Sequence, residues 1–135
     1  MNGRIFLDAS FWIAYRDDEE VLHLAARRVM EDLARQRPHF VTTLPVICEI
    51  HAYFARDRQK RELLLMDLFN NPILEVEEVS HQDQKVALEI LRSHRDKNYS
   101  LCDAISFAVM RRLKIARAVA LDVHFRQFGE FEILN

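Results

Sequence analysis

The chain has 135 residues, with 19 Lys and Arg against 21 Asp and Glu and a formal charge of −2 at pH 7. That length fits one compact domain, residues 1–135, and leaves little room for a second core. Half of the residues are apolar, 30% are charged and only two Gly and three Pro occur; this excludes a disordered or low-complexity chain, and the slight negative charge argues against global attraction to a polyanion.

Arg4 to Asp8 is strongly apolar at Ile5, Phe6 and Leu7, the pattern of a short strand buried on both faces. Ser10 is placed to cap a short helix carrying Phe11, Trp12, Ile13 and Tyr15, and Glu19 to Gln36 shows the spacing of a longer amphipathic helix. Phe40 to Thr42 reads as the second strand. Thr43 then caps a helix with Pro45 in its first turn, where the missing N–H costs nothing, and this helix carries Glu49. Arg58 to Asn70 is a further helix, Ile73 to Val76 a strand, and Ser80 to His94 and Ser100 to Lys114 are capped helices. Ala118 to Leu121 is a fourth buried strand, and Ile133 with Leu134 a short last one. Strands alternating with helix pairs predict an α/β fold, a mostly parallel sheet of four to five strands between two helix layers. Cys48 and Cys102 sit in apolar helical runs as small core residues, and no segment reaches the roughly 18 apolar residues of a membrane span, so a cytoplasmic, membrane-free protein without an export signal is expected.

Four acids interrupt apolar surroundings, where a carboxylate is costly unless paired or bound to a cation. Asp8 and Asp122 each end an apolar strand, at the carboxyl edge where open α/β sheets bind ligands. Glu49 shares a helical stripe with Val46, Ile50 and Tyr53, read as facing inward, and lies mid-helix where no capping role is open to it. Asp103 lies on a stripe with Ser106, Phe107 and Met110. Plainer readings stand beside these: Ser100 and Asp103 match a capping box, and Asp8 and Asp122 suit turns or caps. Two carboxylates about 5 Å apart repel by roughly 3 kcal/mol at an effective dielectric of about 20. Gathered in one place, the four would have to take up protons or cations, and an all-oxygen set favours Mg²⁺ or Mn²⁺ over zinc. With those four neutralised, 19 cations face 17 anions, a weakly basic remainder compatible with nucleic acid. Metal-assisted hydrolysis of a phosphodiester is the chemistry that fits.

In the order and spacing of Phe6-Leu7-Asp8-Ala9-Ser10-Phe11, Ile47-Cys48-Glu49-Ile50, Ser100-Leu101-Cys102-Asp103-Ala104-Ile105-Ser106 and Ala120-Leu121-Asp122-Val123-His124-Phe125, the chain resembles the PIN domain family over its whole length. The likeness is greatest to the small VapC-type toxin ribonucleases of toxin–antitoxin pairs. It implies a PIN-like three-layer α/β/α sandwich and a Mg²⁺- or Mn²⁺-dependent endoribonuclease, with Asp8, Glu49, Asp103 and Asp122 as metal-binding, catalytic acids. Ser10 matches the family's supporting small polar residue, and reads equally as a helix cap. The resemblance further implies a homodimer and a small antitoxin whose basic segment blocks the acidic pocket.

Basic clusters recur along the chain, each readable as an RNA track or as a solvated helix face; Arg92, Arg95 and Lys97, just before the helix of Asp103, are the foremost RNA-binding candidates. His124 adjoins Asp122, but the six histidines show no metal spacing, and a packing or surface role is preferred for it. Two competing functions are a receiver-like phosphotransfer domain, which lacks here the adjacent acids after the first strand, and a PIN-fold binding module without catalysis, in which the acids need not all be kept.

Overall fold

The structure, a computed structural model, describes residues 3–135; Met1 and Asn2 lie outside it. Ile5, Phe6 and Leu7 are all buried, so the strand they form, β1 (Arg4–Leu7), runs through the centre of the sheet. After it come α1 (Ala9–Arg16), α2 (His23–Ala34), β2 (His39–Thr43), α3 (Leu44–Tyr53), α4 (Arg58–Phe69), β3 (Leu74–Glu77), α5 (His81–Ser93), α6 (Leu101–Leu113), β4 (Arg117–Val119), α7 (His124–Phe128) and β5 (Glu132–Leu134). Among the described residues no helix is long and apolar enough to cross a membrane.

The five strands are all parallel, in the order β3-β2-β1-β4-β5. Phe6 lies opposite Val41 on one side and Ala118 on the other, which sets the register of the sheet's middle. The order turns around at β1: the chain first adds β2 and β3 on one side, then crosses back to add β4 and β5 on the other. Ligands in open α/β sheets bind beyond the carboxyl ends of the strands at such a switch point, here between β1 and β4. The receiver-like alternative belongs to the order 2-1-3-4-5 and is ruled out by the sheet. Helices α1 to α4 pack as one group and α5, α6 and α7 as another, completing the expected α/β/α layers.

Several expectations need correction. Ser10 is not the cap of α1 but lies inside it, and Asp8 occupies the capping position. Thr43 precedes α3 yet makes no side-chain cap bond, and its buried Oγ1 has no partner. The helix expected from Glu19 begins at His23, because Asp17 accepts from Glu19 N–H and the chain turns through to Leu22. Strand β4 stops at Val119, where Ala120 and Leu121 leave the sheet, and the unanticipated α7 follows, closed by Gly129 at φ +79. Cys48 is exposed rather than in the core, since α3 buries its Val46, Ile47 and Ile50 side; Cys102 is half-buried.

The second helix group is locked to the sheet by Arg112. Its guanidinium donates to both Asp83 oxygens at 2.9 to 3.2 Å, to Glu77 Oε2 at 3.0 Å and to the Glu78 carbonyl at 3.1 Å. Asp83 is buried and also closes the capping box of α5 with Ser80. Burial alone would raise its pKa, but the Arg112 and Ser80 hydrogen bonds outweigh that and hold it low. Arg112→Ala leaves this carboxylate without its counter-ion, so urea unfolding is expected to show a loss of about 2 to 4 kcal/mol, reduced from the fully buried case because Arg112 is partly exposed.

Candidate metal centre

Strand β1 delivers Asp8 to the switch point, and the backbone holds it there: Asp8 N–H donates to the Val119 carbonyl at 3.1 Å, extending the pairing with β4 by one residue. The side chain turns back over the first turn of α1, accepting from Ser10 N–H at 3.2 Å and from Ser10 Oγ at 2.5 Å. Ser10 Oγ in turn accepts from the N–H of Leu121 at 2.9 Å and of Asp122 at 3.3 Å. One hydroxyl thus joins the two strand ends. Asp122 Oδ1 accepts from His124 N–H at 3.0 Å, shaping the turn into α7.

From α6, Asp103 closes the anticipated capping box with Ser100, accepting from its N–H at 3.0 Å. The same Oδ2 atom also lies 2.7 Å from His124 Nδ1. Helix α3 brings Glu49. Asp8, Ser10, Glu49, Asp103, Asp122 and His124 all line one open cleft of about 620 Å³, and no Lys or Arg is among the described residues that line it. The four acids far apart in sequence are therefore brought together. Asp103, Asp122 and His124 each offer a ligand atom, all within 4.8 Å of one another.

Glu49 departs from its expected setting: it is exposed, as is Tyr53, whereas Val46 and Ile50 of the same stripe are buried. It stands on the flank of α3 that borders the cleft, not the flank that faces the core. Asp8 is the buried member, 3% exposed. Burial first, and then the charge of Asp122, push its pKa up to about 7 against the pull of the Ser10 hydrogen bonds. Asp122 is raised too, by burial and then by Asp103. The Cys102 thiol is driven far up by burial and by Glu49, so it stays protonated and is no thiolate ligand. The donor set is then carboxylate oxygen with an imidazole nitrogen at its edge. Crowded acids without a lining cation fit a hard divalent ion.

Arg92, Arg95 and Lys97 are exposed on the last turn of α5 and the loop after it, outside the cleft lining; Lys97 lies 3.6 Å from Asp96. Tyr99, from the same loop, packs edge-on against His124 at 5.7 Å and so ties that loop to the site. His124, set aside on sequence spacing, proves to be part of the cluster. Its nearness to Asp122 in sequence was the available signal, but its contact with Asp103 spans 21 positions and depends on α7.

A family model for the PIN domain matches residues 5–130. The chain is 32% identical over 130 residues to the 23S rRNA-specific endonuclease VapC20 of Mycobacterium tuberculosis, covering 96% of this chain and 97% of that one. The crystal structure of that organism's VapC20, described as a Sarcin-Ricin loop cleaving toxin, superposes with a TM-score of 0.85 at 30% identity, over 97% of this chain and 99% of the other. FitAcB from Neisseria gonorrhoeae shares the fold at a TM-score of 0.69 and 12% identity, over 97% and 96% of the two chains.

Because Asp8 has a raised folded-state pKa, the unfolded chain ionises first as pH rises through about 4, and the folded state follows only near 7. Its contribution to stability is therefore largest in acid and falls across that window. In chelator, denaturant unfolding should show a loss of roughly 2 to 3 kcal/mol from about pH 5 to about pH 8, absent in Asp8→Asn; equal slopes for the two proteins would refute the assignment.

Proposed function

Because the chain belongs to the PIN domain family, we propose that it is a divalent-metal-dependent endoribonuclease, the VapC-like toxin of a toxin–antitoxin pair, built as one PIN domain. The observation that carries this is a buried Asp8, its pKa pushed up by burial and by Asp122, sharing with Glu49, Asp103 and Asp122 a cleft that no Lys or Arg lines among the described residues. Those four acids would hold Mg²⁺ or Mn²⁺. When bound, such an ion activates water and neutralises charge on the phosphate and the leaving oxygen.

The chain's own groups set the stage for that chemistry. Ser10 fixes the rotamer of Asp8 and the position of the Leu121-Asp122 backbone with one hydroxyl, so the two strand-end acids keep their spacing. Ser100 and His124 hold Asp103 Oδ2, the kind of support that orients ligating carboxylates. Glu49, on the solvent side, faces the arriving RNA and closes the cleft from α3.

Likeness to VapC20 supports the sarcin–ricin loop of 23S rRNA as the first RNA to try. Arg92, Arg95 and Lys97 supply a basic rim for its backbone. The protein would act in the cytoplasm, as a homodimer, and be restrained by an antitoxin whose basic segment enters the acidic cleft.

Purified protein should cut 23S rRNA with Mg²⁺ or Mn²⁺ and stop on chelation. Asp8→Asn and Asp103→Asn should each slow cutting by about a hundred-fold or more, since even outer-shell changes at metal sites cost roughly 10- to 100-fold. Equal cutting by the variants would sink the mechanism. Replacing Arg95 and Lys97 by Ala should lower the salt dependence of RNA binding by about 0.7 per lost phosphate contact for single-stranded RNA.

A further inference from the structure

The cleft that holds the acids gives an RNA chain little to adhere to besides a cation. Its lining includes four carboxylates and no Lys or Arg among the described residues, so phosphates are repelled wherever a metal does not stand between. An unpaired base carries no such charge, and a base is attracted by any aromatic face, which contributes to single-strand binding without regard to sequence.

Tyr53 presents such a face. It lies one helical turn beyond Glu49 on the same flank of α3, where residues four apart are neighbours at about 6 Å. Its ring lines the acidic cleft, and it also borders a smaller cleft of about 250 Å³ that shares Ser10, Ile13 and Asp122 with the first. It therefore stands where the two clefts meet. Tyr53 is 49% exposed although Phe54, next to it, is buried.

An exposed tyrosine normally samples several rotamers, but this one is held at both ends. Its hydroxyl donates to Asp17 Oδ2 at 2.7 Å and lies 3.5 Å from Glu20 Oε2. The ring packs edge-on against Phe54 with centroids 4.8 Å apart at 76°. That bond lowers the Asp17 pKa and raises the phenol's to about 12, so the donor stays protonated throughout the neutral range. Little side-chain entropy remains to be lost when a ligand covers the ring.

We propose that Tyr53 is a specificity residue that stacks on an unpaired RNA base beside the bond to be cut, seating that base where the two clefts join. This rests on the endoribonuclease reading. RNA is favoured over a protein partner because the ring adjoins the acids themselves, within about one nucleotide of Glu49.

The test uses a synthetic sarcin–ricin stem-loop RNA with 2-aminopurine at each loop adenosine in turn, mixed with Asp8→Asn protein and Mg²⁺ so that it stays uncut. Stacking on Tyr53 should quench one position, survive Tyr53→Phe and vanish with Tyr53→Ala. In protein that keeps Asp8, Tyr53→Ala should raise KM roughly ten-fold, as expected for one lost stacked base, with kcat within about three-fold. Circular dichroism melting checks that the variants fold. An undiminished quench in Tyr53→Ala, quenching at no position, or an unchanged KM overturns the proposal and leaves the ring to a protein partner. Failure of the Asp8-containing protein to cut any RNA overturns the endoribonuclease reading instead, while the quenching comparison, which needs no cutting, still decides the role of Tyr53.

Discussion

A carboxylate placed inside the protein at the end of its central strand is the constraint around which the rest is arranged. Asp8 is buried because β1 is flanked on both sides by parallel strands and covered on both faces, so any residue that follows Leu7 emerges beneath α1 and beside β4. A charge in that position lacks bulk water, and the nearest charges are those of Asp122 and Asp103, of the same sign. The protein meets this with two hydrogen bonds from Ser10, which do not offset burial and repulsion. Left alone, the site favours a proton; a divalent cation satisfies it without one. The proposed affinity for a metal would in this sense be a consequence of where the sheet ends.

The same arrangement dissolves the opposition between capping and catalysis that the sequence presents. Asp8 caps α1 through Ser10 N–H, Asp103 caps α6 through Ser100 N–H, and Asp122 orders the turn into α7. Each hydrogen bond occupies an N–H that a helix start must satisfy in any case. Those donors also fix the rotamers of the carboxylates they hold, and a cluster meant for a metal needs fixed rotamers. Structural and chemical roles share the same atoms here.

Where strand patterns are strong, the sequence was sufficient: the apolar runs at Ile5 to Leu7 and Phe40 to Thr42 became β1 and β2, and the run from Ala118 to Leu121 became β4 as far as Val119, the three lying side by side in the sheet. Strand order, and with it the switch point, was not legible, because nothing in an apolar run says which neighbour it pairs with. The four acids line one cleft, but Glu49, expected to face inward, is exposed, and Asp8 is the most deeply buried of them. Helical spacing put Glu49 in line with Val46 and Ile50, yet a helix flanking a cleft has a third side, neither core nor open solvent, that periodicity does not distinguish. His124 was missed for a related reason. Its partner Asp103 is on another helix, and α7 is too short to announce itself.

The separation of charges carries a last consequence. Acids are concentrated inside the cleft, whereas Arg92, Arg95 and Lys97 are held outside its lining on exposed surface. If the chain is the endoribonuclease proposed above, attraction to a phosphate backbone and discrimination at the cut site would fall to different surfaces. A rim can gather RNA of any sequence, because phosphates are alike. Inside, where phosphate is repelled unless a cation intervenes, what remains to distinguish one RNA from another is the fit of bases against neutral faces, and the lining offers few of these beyond Ile13, Tyr53 and the ring of His124. On the proposed reading, a chain of slightly negative total charge would in this way bind a polyanion selectively, since its acids would repel any strand that does not arrive at a bound cation with a base to lay against the wall.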